Sequence, residues 1–263
     1  MNLLTSWDAV LDAPAPSDHL VQLYTDEKAL VASVCRFIER GVRDGEGVVA
    51  IATAAHWSDV AVRLDERGID VSAARGRGQL VVLDAQQTLA RLLVDGMPDG
   101  TAMREIVVPT VDAVRGAGYR SIRAFGEMVD ILNGRGELAA AIRLEELWNE
   151  LLAEQRISLL CGYAVDALDR REYAQTLPRI GDVHSHLMPV EDAERLERAI
   201  DRAFIDVFGI YGDTRVLRQL FVRDLPGRTA MPAAQGALFA LRELDPRLAD
   251  AVLERAASHY RGV

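Results

Sequence analysis

The sequence predicts an α/β protein: a mostly parallel sheet with helices on both faces, followed by a C-terminal helical extension. Three observations carry this. Strand-like and helical segments alternate from His19 to Tyr163, the pattern of parallel strands joined by crossover helices. Val48-Val-Ala-Ile51 and Leu80-Val-Val-Leu83 are continuously apolar, as strands buried on both faces require. After Asp166 the strand signals stop, and apolar residues recur at helical spacing.

Taken in order, residues 1–18 form an arm: a short amphipathic turn around Leu3, Leu4, Trp7 and Val10, then a Pro14-Ala-Pro16 spacer that a helix does not cross. The alternation then predicts strand 19–24, helix 26–43, strand 47–53, helix 56–67, strand 79–84, helices 86–94 and 101–117, strand 121–127, helix 134–154 and strand 157–163. Gly41, Gly68 and Gly118 fall near helix ends, where glycine supplies a left-handed terminal residue.

Residues 191–208 carry Leu196, Ile200, Ala203, Phe204 and Val207 at helical spacing, an apolar stripe that needs a partner. Glu194 and Arg198 form an attractive i,i+4 pair and Glu197 and Asp201 a repulsive one, so the charged face reads as solvated. Helices are also predicted over 213–225, 232–244 and 246–260, the last with Asp245 as N-cap and Pro246 in its first turn. The expected organisation is an arm over 1–18, an α/β domain over 19–182 and a helical region over 183–263.

With 263 residues and 49% apolar composition, the chain can bury a full α/β core. Its formal net charge of −10 argues against non-specific binding to nucleic acid or an anionic membrane. No apolar run reaches the roughly 20 residues needed to span a bilayer, and the N-terminus lacks a secretion-signal pattern, so a soluble, cytoplasmic protein is expected. Cys35 and Cys161 lie far apart with no CxxC and no His at ligand spacing, which reads as two buried reduced thiols.

Where a nucleotide-binding α/β protein carries a glycine-rich phosphate loop, the first strand runs from Tyr24 straight into Thr25-Asp26-Glu27. These acids suit a helix N-terminus but repel phosphate. Lys28, the only lysine, has no preceding glycines to help it wrap a triphosphate. ATP hydrolysis is therefore not expected, and no cofactor is implied.

Phe37-Ile-Glu-Arg-Gly41 through Asp44-Gly-Glu-Gly-Val-Val-Ala-Ile51 resembles the first helix and second strand of the circadian-clock ATPase branch of the RecA-like fold. Together with Ser17-Asp-His19 through Tyr24, Arg123-Ala-Phe-Gly-Glu-Met128 and Leu159-Leu-Cys-Gly-Tyr163, it resembles the MEDS family over residues 17–190. That resemblance implies a RecA/KaiC-like sheet without a working phosphate loop, a role in sensing small molecules such as hydrocarbon derivatives, and attachment to histidine kinases or DNA-binding modules. The sequence departs from those architectures: it reaches Val263 with no kinase ATP-binding domain and no convincing helix-turn-helix.

Ligands of open α/β sheets bind beyond the carboxyl ends of the strands, which here present Tyr24, Thr53, Asp84, Glu127 and Tyr163. Glu127 ends the strand that would hold a Walker B acid; it binds a ligand's donor or polarises a water, or else caps the next helix or pairs with an Arg. Tyr24 and Tyr163 are pocket-lining aromatics or core residues whose hydroxyls reach the surface. His19 and Cys161, with Tyr24, belong to the family pattern; a lone His at a strand start is commonly structural. His184-Ser-His186, flanked by Asp182 and Glu191, lacks the helix-defined spacing of a metal motif and reads as a connector, so no metal is assigned.

The expectation is a non-catalytic sensor whose ligand-binding residues are His19, Tyr24, Thr53, Glu127, Cys161 and Tyr163. Its C-terminal helices would serve output or homodimerisation, with a signalling protein as a further partner. The alternatives are a nucleotide-binding or residual ATPase module, and a partner-binding regulator of a separate kinase or transcription factor.

Overall fold

The computed structural model describes residues 7–190, 192–209 and 230–262. The chain divides into two compact units, Met1–Ala164 and Val165–Val263.

The first unit opens with a short helix, α1 (Trp7–Asp12), then β1 (His19–Tyr24), α2 (Glu27–Arg43), β2 (Gly47–Ala52), α3 (Ala54–Glu66), α4 (Val71–Gly76) and β3 (Leu80–Asp84). It continues through α5 (Ala85–Leu92), β4 (Leu93–Val94), β5 (Met97–Pro98), α6 (Gly100–Gly116), β6 (Ile122–Gly126), α7 (Met128–Gly134), α8 (Leu138–Gln155) and β7 (Ser158–Ala164). Its long strands stand in the order β3-β2-β6-β7-β1, every neighbouring pair parallel. The predicted α/β class, parallel sheet and helical extension are all present.

Register follows burial. Every residue of β2 is buried, and each fully buried Val or Ile side chain contributes about 1.5–3 kcal/mol relative to exposure. Side chains alternate across the sheet, so the even positions of β1 and β7 lie on one face and the odd positions on the other. On the even face a Cβ at Gly162 would stand 2.8 Å from Leu30 of α2, a close approach that leaves no room for a side chain. On the odd face lie the side chains that meet α8.

Arg123 of β6 is buried on the α2 face. It pairs with Glu46, donates to the carbonyls of Phe37 (3.0 Å) and Asp12 (3.3 Å), and sits 4.9 Å over the Phe37 ring. Burial pulls its guanidinium below its ordinary range while Glu46 acts in the opposite direction. Gly41 lies in the last turn of α2, near the helix end as expected, but it is not a left-handed terminal residue: a Cβ there would meet Arg123 Cδ and Nε at 2.7 Å. Gly68 and Gly118 do adopt left-handed backbone, at φ 80° and 105°.

Three local features differ from the sequence reading. Asp95-Gly96, both at positive φ, close a two-residue turn between β4 and β5, a hairpin signal of the Asp-Gly kind. The segment read as one helix from 134 begins earlier and is two: α7 starts at Met128, and Gly136 at φ 76° separates it from α8. The third is α4, opened by Asp70, whose side chain accepts from Ala73 N.

The second unit contains α9 (Arg170–Gln175), α10 (Leu177–Val183), β8 (His186–Met188), α11 (Ala193–Phe208), α12 (Ala233–Leu244) and α13 (Pro246–Arg261). Strand signals therefore do not end at Asp166: β8 is a short strand bridged to Ala230, with Leu187 N donating to Ala230 O at 2.8 Å. Leu196, Ile200, Ala203 and Phe204 are buried, and α11 packs against α13 and α12. The stripe is thus covered by helices of its own unit. Asp245 caps α13 as expected, accepting from Arg247 N and Leu248 N. Leu3, Leu4 and the helix predicted over 213–225 lie outside the described residues. Among those described, no helix is long and apolar enough to cross a membrane.

Candidate functional site

The parallel register aligns the carboxyl ends of the strands: Ala52 stands beside Asp84, Ile51 beside Gly126, and Tyr24 beside Ala164. Because β2 and β6 are neighbours in space though not in sequence, the turns that follow them meet. Glu127 sits at the N-terminus of α7, yet its side chain makes no cap there. One carboxylate oxygen accepts from Thr53 N, and the other accepts from His56 Nδ1 at 2.7 Å. Thr53 in turn caps α3 through His56 N. The hydrogen bond from Glu127 raises the His56 imidazole above its ordinary value, opposed by burial.

Tyr24 extends this arrangement. Its hydroxyl donates to Asp130 Oδ2 at 2.8 Å, and Ala164 N donates to Asp130 Oδ1 at 2.7 Å. The Tyr24 and His56 rings approach edge to face, with centroids 6.4 Å apart. Burial pushes the Asp130 carboxyl and the Tyr24 phenol above their usual ranges. Two acid-centred pairs, Glu127 with His56 and Asp130 with Tyr24, therefore stand side by side at one edge of the sheet.

The helix start that would hold phosphate in an ATPase is already occupied. Asp26 accepts from Lys28 N at 2.9 Å and Glu27 lies in the first turn of α2, so the chain's own acids take the positive end of the helix dipole.

The remaining candidates do not join this edge. His19, Cys161 and Tyr163 project from the opposite face of β1 and β7 toward α8, where they meet Glu145 and Asn149. His19 Nδ1 donates to Asn149 Oδ1 at 2.9 Å, and His19 Nε2 lies 3.2 Å from Glu145 Oε2 and 3.4 Å from Cys161 Sγ. The Cys161 thiol donates to Glu145 Oε2 at 3.5 Å and Tyr163 Oη to Glu145 Oε1 at 3.0 Å. Burial first, and the Glu145 charge second, raise both the thiol and the phenol well above their usual values. Six candidate residues thus fall into two groups on two sides of the sheet.

Sequence reasoning missed His56 and Asp130 at the edge, and Glu145 and Asn149 in the layer beneath α8. A usable signal exists for the first pair. Each lies in the opening turn of a helix that directly follows a strand, where side chains overhang the carboxyl edge. In the second unit His184 Nδ1 donates to the Ile180 carbonyl at 2.7 Å, and Ser185 Oγ lies 2.8 Å from His186 Nδ1. A groove of about 490 Å³ in the first unit lies away from the strand ends, lined by Asp12, Arg36, Glu39, Arg40, Arg43 and Arg67 among others.

No match to the chain is found among curated proteins. The family model described as MEDS, the methanogen/methylotroph, DcmR sensory domain, matches residues 18–177, more than half of the chain. The chain belongs to that family, and its role is sensory or signalling.

Proposed function

We propose that this MEDS-family protein is a non-catalytic sensor that takes a small organic ligand at the carboxyl edge of its sheet, held by Tyr24, His56, Glu127 and Asp130. The observation that supports this reading is the convergence of the Glu127–His56 and Asp130–Tyr24 pairs, through the 6.4 Å approach of the two rings, at the end of the sheet where such folds bind ligands. Phenol, imidazole and carboxylates can exchange these internal hydrogen bonds for bonds to a guest of similar size. The acidic surroundings favour an uncharged or cationic molecule over a phosphate ester, since Asp26 and Glu27 flank the same edge. The second unit would carry the output, through homodimerisation or contact with a separate signalling protein in the cytoplasm.

A thermal-shift panel of small alcohols, amines and amides, with ATP and cyclic nucleotides alongside, tests this. A ligand that binds only the native state stabilises it by about 2.7 kcal/mol at a hundredfold excess over Kd. Stabilisation by an uncharged or cationic organic compound, lost in both Tyr24→Phe and His56→Ala, is the expected result. Stabilisation by nucleotides alone would replace this reading with a nucleotide-binding one.

A further inference from the structure

We propose that His19, Glu145 and Cys161 form a binding site for a divalent transition ion of the zinc type, buried between the β1–β7 pair and α8. This does not depend on the ligand proposed for the sheet edge, which lies on other residues.

The geometry carries it. Three donor atoms of different chemistry form a closed triangle, with His19 Nε2 to Glu145 Oε2 at 3.2 Å, His19 Nε2 to Cys161 Sγ at 3.4 Å and Cys161 Sγ to Glu145 Oε2 at 3.5 Å. In a tetrahedral zinc site with nitrogen and oxygen at about 2.0–2.2 Å and sulfur at about 2.3 Å, the edges between ligands come to about 3.4–3.6 Å. The triangle therefore matches one face of such a tetrahedron to within about 0.2 Å, the tolerance expected of a metal site.

The surroundings fit the same assignment. Asn149 Oδ1 accepts from His19 Nδ1, which fixes the tautomer with the lone pair on Nε2, the nitrogen that faces the other two donors. An outer partner of this kind is what orients a ligating imidazole. Tyr163 Oη holds the other oxygen of Glu145, leaving Oε2 toward the triangle. His19, Glu145 and Cys161 are 2%, 0% and 1% exposed, so an ion held by them would be shielded from water. A divalent ion binds such a cysteine as its thiolate. A thiolate with an imidazole selects zinc, cobalt or iron over magnesium and calcium.

The donors come from β1, α8 and β7, so a bound ion would tie two strands to the helix that covers them. Since all three are buried, the ion enters as the chain folds, and the test loads it in the cell. The full chain is produced in cobalt-supplemented medium and its metal content and near-ultraviolet spectrum recorded. The expected result is one cobalt per chain with a sulfur-to-cobalt charge-transfer band. Because the sequence contains only Cys35 and Cys161, a band kept in full by Cys35→Ser assigns the thiolate to Cys161 without altering the site. Cys161→Ser should lose the band and Glu145→Gln should lower the metal content. A metal-free chain, or a band lost in Cys35→Ser, overturns the proposal.

Discussion

Glu127 Oε2 accepts a 2.7 Å hydrogen bond from His56 Nδ1, so the carboxylate that directly follows β6 is held by the helix that follows β2. The pair predicts a pH dependence. The folded state raises the His56 imidazole from 6.5, so its stabilisation is complete below about pH 6.5 and is lost as pH rises through the raised folded value. The melting-temperature gap between the parent chain and His56→Ala should therefore be widest near pH 6 and shrink toward about pH 9. A gap that widens with pH would contradict the pairing.

Tyr24→Phe removes the hydroxyl that Asp130 accepts from. Leaving that carboxyl with one partner fewer costs about 1–3 kcal/mol at neutral pH. Asp130 is already raised by burial, an effect Tyr24 opposes, so in the variant it rises further. The deficit should be smaller below about pH 4, where the carboxyl is protonated in both proteins. Chemical denaturation of the two proteins at both pH values checks this.

ATP turnover should be absent. Asp26 and Glu27 occupy the helix start that phosphate would need, and Glu127 is engaged by Thr53 N and His56. A phosphate-release assay on the full chain is expected to show no turnover above the buffer blank; turnover abolished by Glu127→Gln in folded protein would reverse this.

Gly41→Ala should destabilise although it lies in a helix. Helix propensity favours Ala by about 1 kcal/mol. The new Cβ would meet Arg123 Cδ and Nε at 2.7 Å, and overpacking against a buried side chain costs about 1–3 kcal/mol. Arg123 is tied to Glu46, Phe37 and Asp12, so it has little freedom to yield. Gly116→Ala in α6, where a Cβ meets nothing within 4 Å, should be neutral or stabilising. Denaturation midpoints of the two variants separate the effects.

If the C-terminal helices join two subunits, the contact must use residues other than the buried stripe of α11. Ile205, Leu244 and Leu248 are large apolar side chains left 54%, 72% and 38% exposed. Light scattering on the full chain should give a dimer mass that falls to the monomer value in Leu244→Glu/Leu248→Glu. A parent chain that is already monomeric would remove the proposed homodimer.

The α/β class was legible because continuous apolar runs such as Val48–Ile51 have one stable use, burial on both faces of a parallel sheet. Asp245-Pro246 announced α13 by local capping chemistry, which acts within a few residues. The same locality explains Tyr24, Thr53 and Glu127: Tyr24 ends a strand and the other two directly follow one, and strand ends of a parallel sheet share an edge. Gly41 was placed correctly near the end of α2, but its role was not legible, for the opposite reason. What it accommodates is Arg123, a residue of a strand elsewhere in the chain.

By itself, then, the sequence determined the alternation of elements, the missing phosphate loop and the residues standing at strand ends, all of which depend on neighbours in the chain. Only the tertiary structure decided which strands lie side by side. That order brought His56 of α3 to Glu127 and Asp130 of α7 to Tyr24. It also sorted His19, Cys161 and Tyr163 onto the α8 face with Glu145, away from Tyr24, Thr53 and Glu127. Side-chain direction alternates residue by residue along a strand, whereas the helix that covers each face is set by how the whole sheet is wound.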